Sequence, residues 1–113
     1  VSEKKALSEI FNHINEELAK EECSRSILVG HNAFFDLGFV KEATLRTALK
    51  SPFHQFSTID TVSLSALCCG ETVLAKAISK MDIEWDNAEA HSALYDTKKT
   101  SELFCKIFNT IEF

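Results

Sequence analysis

Three carboxylates and one histidine, Asp36, Asp60, Asp96 and His91, stand where the sequence pattern passes from one element to the next. Oxygen ligands of this kind suit Mg²⁺ or Mn²⁺, and two such ions position an attacking water and stabilise the leaving oxygen of a phosphodiester. A histidine near its neutral form takes up that water's proton. Taken singly, each residue has a plainer use. Asn32 and Asp36 fit helix capping better than a metal site, because both types offer acceptor oxygens to a helix start. His91 alone reads as a helix-start histidine bonded to backbone. Only the set points to chemistry.

Such a set needs elements to position it. In ILVGHNAFFD, residues 27–36, the run Ile27, Leu28 and Val29 predicts a short central strand covered on both faces, ended by Gly30. His31 and Asn32 make the turn, and Asp36 falls in the first turn of a helix predicted over about 34–49. That helix ends before Ser51 and Pro52, since a residue preceding proline is pushed out of helical conformation. FHQFSTID, residues 53–60, predicts a second strand, with Asp60 at its end. Asp36 and Asp60 thus mark the carboxyl ends of successive strands, the rim where open α/β sheets bind ligands.

Elsewhere the pattern is helical. Leu7, Ile10, Phe11, Ile14 and Leu18 form one apolar stripe of a surface helix over 2–20, with His13 outside the stripe and solvated. Phe35, Phe39 and Ala43 keep a helical period in the next helix. Helices follow over 61–69, stopped by Gly70, and over about 72–80. Residues 81–90 form a polar connection, and a last helix over about 92–109 carries Leu103, Phe104, Ile107 and Phe108 toward a core. His91 and Asp96 lie five residues apart in HSALYD, a rotation of roughly 140° on a regular helix. To work with Asp96, His91 must therefore lie in the preceding loop.

Composition bounds the rest. A chain of 113 residues, 45% hydrophobic and 26% charged, holds at most one ordinary globular domain, taken as 1–113. No run approaches the roughly 20 apolar residues of a membrane span, and no secretion signal begins the chain, so a cytoplasmic protein is expected. Cys23, Cys68, Cys69 and Cys105 have neither zinc spacing nor a disulfide framework and read as reduced thiols. The net charge of −5 argues against a broad phosphate-binding surface, though not against a local basic patch. Alternating helices and strands predict an α/β fold with parallel strands. Two strands leave edges unpaired, and the chain starts at Val1, so further strands are expected to precede it.

HNAFFD and HSALYD resemble the second and third motifs of the DEDDh 3′–5′ exonucleases, whose fold is ribonuclease H-like. SPFHQFSTIDT and GETVLAKA are similar to the ribonuclease T branch of that family. The resemblance implies Asp36 and Asp96 as metal ligands, His91 as general base, and Asp60 as an acidic partner near the metals. It implies two Mg²⁺ ions, with Mn²⁺ as a substitute. Phe35 and Phe56 match positions that stack on terminal bases, and Arg25 and Lys50 a nucleic-acid-binding patch. Without the resemblance, the phenylalanines read as core and the two cations as solvated charge. The implied partners are single-stranded RNA 3′ ends, tRNA, single-stranded DNA and a second subunit in a homodimer, with no membrane.

The family's first motif, an Asp-x-Glu on an early strand, has no counterpart here. Asp82, Ile83 and Glu84 carry the letters in the wrong place, after the second motif. The chain therefore reads as a C-terminal portion with an incomplete sheet, weak or inactive alone. Three rivals stay open: a DNA-proofreading exonuclease, a nucleic-acid-binding module without hydrolysis, and a metal-free α/β interaction domain.

Overall fold

Ser2 opens the first helix because its side-chain oxygen accepts the Lys5 N–H at 3.1 Å, satisfying a donor the first turn would otherwise leave bare. The computed structural model describes residues 1–111, so the last two residues of the expected 1–113 domain lie outside the described residues. The elements in order are α1 (Glu3–Lys20), β1 (Ser26–Gly30), α2 (Ala33–Thr47), β2 (Phe53–Asp60), α3 (Thr61–Cys69), α4 (Leu74–Lys80) and α5 (Ala93–Thr110). β1 and β2 form a two-stranded parallel sheet, the α/β class with an incomplete sheet expected from the sequence.

The chain divides into two compact units, one built from Val1–Leu28 with Phe34–Thr58, the other from Val29–Ala33 with the residues from Ile59 onward. In the first unit, Phe11 of α1 is buried and meets the Phe53 ring edge-on, with centroids 6.3 Å apart. Arg46 near the end of α2 forks onto Glu3 at 3.1 and 2.8 Å. That bond and the guanidinium charge hold the exposed Glu3 carboxyl below its usual range and raise Arg46. α2 stops at Thr47, two residues early, because Ala48 takes a left-handed φ of 55°.

The second unit holds a small apolar core. Ala77 and Ile78 of α4 meet Leu103 and Ile107 of α5, with Leu64, Leu74, Met81 and Trp85 packed around them. Gly70 ends α3 in the left-handed conformation, φ 76°, and its N–H reaches the Ala66 carbonyl at 3.0 Å.

Three packing expectations are corrected. The strand predicted to be covered on both faces is not: Ile27 is 43% exposed, Leu28 and Val29 are half-buried, and only Gly30 is buried. With two strands among the described residues, little flanks β1. On α2 the buried stripe is Ala33, Leu37 and Ala43, while Phe35 and Phe39 face solvent. On α5, Leu103 and Ile107 are buried with Thr100, but Phe104 is half-buried and Phe108 half-exposed, because they form the neighbouring stripe. All four cysteines are free thiols, as expected. Among the described residues, no single helix is long and apolar enough to cross a membrane.

Candidate active site

The turn between β1 and α2 is fastened by the end of β2. Asn32 sits at φ 67°, a left-handed conformation in which Asn is among the tolerated residues. The turn so formed presents two successive backbone N–H groups to one carboxylate. Asp60 Oδ1 accepts the Asn32 N–H at 3.0 Å, and Oδ2 accepts the Ala33 N–H at 2.9 Å. Oδ1 also accepts the Val62 N–H at 2.9 Å, making Asp60 the cap of its own helix α3. One side chain therefore caps two helix starts, with the charge placed where helix dipoles favour an anion. Asp36 lies in the first turn of the helix so capped and is exposed.

His31, read from sequence only as part of this turn, holds it from the other side. Its Nε2–H donates to the Thr72 carbonyl at 2.7 Å, and its Nδ1 lies 2.7 Å from Thr61 Oγ1. The Thr72 bond also explains why α4 begins at Leu74 instead of 72: Thr72 belongs to the loop that His31 engages.

At the third motif the order is local. His91 is exposed, in the turn before α5, at φ 74°, where the five-residue spacing required it to be. Its backbone N–H donates to Asp96 Oδ1 at 3.3 Å, and Ser92 Oγ accepts the Tyr95 N–H at 3.3 Å. The His91 ring is left at the surface, and Asp96 is half-buried with one oxygen engaged.

Arg25, Lys50 and Phe56 come together in the first unit, lining an open groove of about 570 Å³ with His54 and Asn15. Phe56 is 78% exposed, and the His54 ring stands edge-on to it at 4.9 Å. His54 is fixed because its Nδ1 accepts the Phe56 and Ser57 N–H groups at 3.3 and 2.9 Å. Sequence reasoning passed over His54, although FHQF carries it two residues from Phe56. Phe35 does not line this groove; it is exposed on α2, its ring 4.7 Å from that of Phe34.

Asp82 and Glu84 are exposed and lie after α4, outside any strand. They do not supply the missing Asp-x-Glu. Among the described residues no three His, Cys, Asp or Glu side chains converge as a metal cage. The carboxylates of Asp36 and Asp96 are nonetheless donors of the hard, oxygen type that Mg²⁺ and Mn²⁺ take, and each keeps free lone pairs.

Residues 2–104 match the exonuclease family described as RNase_T: Exonuclease, and the chain belongs to that family. It is 57% identical to ribonuclease T of Vibrio parahaemolyticus over 110 residues, covering 96% of this chain and 51% of that protein. It is 56% identical to ribonuclease T of Photobacterium profundum, again over 96% of this chain, and over 49% of the relative. The chain thus spans about half the length of the curated relatives it matches.

Proposed function

We propose that residues 1–113 form part of a 3′–5′ exoribonuclease domain that trims tRNA and other stable RNAs by two-metal phosphodiester hydrolysis in the cytoplasm. The observation that carries this reading is the match to an exonuclease family over residues 2–104, a span that includes both the HNAFFD and HSALYD turns. Asp36 and Asp96 would hold Mg²⁺, with Mn²⁺ as a substitute. When bound, the two ions supply positive charge for the attacking and leaving oxygens.

The chain's own groups do the rest. His91, exposed at a left-handed corner beside Asp96, takes the proton of the attacking water. Asp60 acts on the site through backbone, by fixing the start of the helix that carries Asp36. Phe35 and Phe56, 60% and 78% exposed, offer ring faces to unpaired bases at the RNA end. Arg25 and Lys50 take phosphates, and in a homodimer the groove of one subunit feeds RNA to the site of the other. This reconciles a chain of net charge −5 with a polyanionic substrate.

Hydrolysis by this chain alone is expected to be weak, since it contributes only some of the carboxylates the family's chemistry uses. The test is nucleotide release from a 3′-labelled single-stranded RNA in Mg²⁺, with Asp36→Ala as the control for contaminating nucleases. Slow release that disappears in the variant supports the reading. RNA binding with no release, unchanged by Asp36→Ala, favours the non-hydrolytic module, and faster release from DNA than from RNA favours a proofreading exonuclease.

A further inference from the structure

We infer that His31 is a positioning residue, a pin that sets the Gly30 to Ala33 turn through a fixed imidazole and so sets the start of the helix carrying Asp36. The inference rests on the proposed role of Asp36 for its relevance to catalysis, but not for its geometry. The ring's two nitrogens have different partners. Thr72 offers a carbonyl oxygen, which only accepts, so Nε2 must carry a proton. Nδ1 faces Thr61 Oγ1 at 2.7 Å, and a hydroxyl both donates and accepts. In the neutral ring, Thr61 therefore donates to Nδ1.

The surroundings make this pairing hard to replace. Thr61 is fully buried, so leaving its hydroxyl without a partner carries a desolvation cost. Its second acceptor is the Gly30 carbonyl at 3.3 Å, the last residue of β1. If the ring gains a proton at Nδ1, that nitrogen donates to Thr61, and Thr61 turns its own proton to Gly30. Either protonation state thus leaves both ring nitrogens and the Thr61 hydroxyl paired.

Thr72 is held independently. Ser65, also fully buried, donates its hydroxyl to the Glu71 carbonyl at 2.6 Å, and the Glu71 N–H returns to the Ser65 carbonyl at 3.4 Å. The loop after Gly70 is therefore a built acceptor, with the Thr72 carbonyl presented next in sequence. His31, directly after the end of β1, joins it to two segments that lie 30 and 41 residues along the chain, the start of α3 and this loop. Asn32, in the left-handed region, follows directly, and its N–H and that of Ala33 are the two that Asp60 accepts.

The test is amide hydrogen exchange by NMR on the intact chain, with the imidazole nitrogens observed in the same sample. The expected ring signature is a slowly exchanging Nε2–H with Nδ1 as acceptor. His31→Ala removes both ring hydrogen bonds and is expected to lower protection at Asn32 and Ala33 by about tenfold or more. Leu103 and Ile107 should stay protected, which reports that α5 remains folded. His31→Gln, whose amide reaches the Nε2 position, should restore most of the protection; His31→Asn, which reaches only the Nδ1 position, should not. Unchanged protection at Asn32 and Ala33 in His31→Ala would overturn the pin, as would a ring bearing its proton on Nδ1 alone. Should His31→Ala unfold the chain, the comparison of His31→Gln with His31→Asn decides the question, and equal protection in those two would overturn it. None of these readouts uses metal or RNA. A failed nuclease assay with the exchange result intact would remove the catalytic reading and leave the pin.

Discussion

The two motif turns reach the same local shape by different means. Each places a non-glycine residue in the left-handed region just before a helix, Asn32 before α2 and His91 before α5, with an aspartate in the helix's first turn. The HNAFFD turn is held by side chains from far along the chain: Asp60 takes its N–H groups and His31 reaches Thr61 and Thr72. The HSALYD turn is closed by its own residues, His91 to Asp96 and Ser92 to Tyr95. A turn held remotely is ordered only when the rest of its unit is folded. One closed locally is set by six residues and leaves its histidine exposed. The first arrangement suits the role proposed for Asp36, a carboxylate that must be placed, and the second the role proposed for His91, a base open to water.

The largest effect should come from removing the remote clamp. Asp60→Ala deletes three charge-assisted acceptor bonds and the caps of two helices, and should destabilise the chain by about 3 kcal/mol, read as a lower urea midpoint. A loss under about 1 kcal/mol would mean that the HNAFFD turn closes without Asp60, and the contrast between the turns would collapse. Ser92→Ala removes one local cap and should cost about 1 kcal/mol. Its effect should be confined to exchange protection in the first turn of α5.

A smaller change sharpens the picture of the segment leading into HSALYD. Tyr95 Oη accepts the Asp86 N–H at 2.7 Å, and the Tyr95 ring meets Trp85 at 5.3 Å. Tyr95→Phe should cost about 0.5–1 kcal/mol and change Trp85 fluorescence, because the ring contact survives while the loop loses its tether.

The smallest effect is a pH dependence in the first unit. The Arg46 guanidinium lowers the Glu3 carboxyl in the folded state, so its stabilisation is present above the ordinary glutamate range. It is lost as pH falls through the lowered value. A melting-temperature profile should therefore drop a little more steeply in the acid range for the parent than for Glu3→Gln. With both side chains exposed the difference will be slight and will shrink in salt.

How much of this was legible in the sequence depended on range. β2 at 53–60, α3 at 61–69 and the Gly70 stop follow from local pattern and backbone preference, and the structure places them at those residues. The position of His91 before α5 followed from helix geometry only on the reading that His91 works with Asp96. The clamp did not, because Asp60 and His31 act over 27 to 41 residues and no periodicity encodes such pairings. Asp60 reads as an acidic rim residue in sequence, yet both of its oxygens are bonded to backbone. The partial exposure of β1 has a related reason: an apolar run gives strand tendency, while cover comes from neighbours. On α2, Phe35 and Phe39 keep a helical period on a face that is exposed, and the buried stripe is made by the smaller Ala33, Leu37 and Ala43.

The measurement that bears most directly on Asp36, His91 and Asp96 as a hydrolytic set is paramagnetic broadening of the chain's amide resonances by substoichiometric Mn²⁺. Signals at Asp36, His91 and Asp96 should broaden first, and Asp36→Ala should weaken the effect. Broadening that begins instead around Asp82, Glu84 and Glu89, with Asp36 and Asp96 untouched, would contradict it.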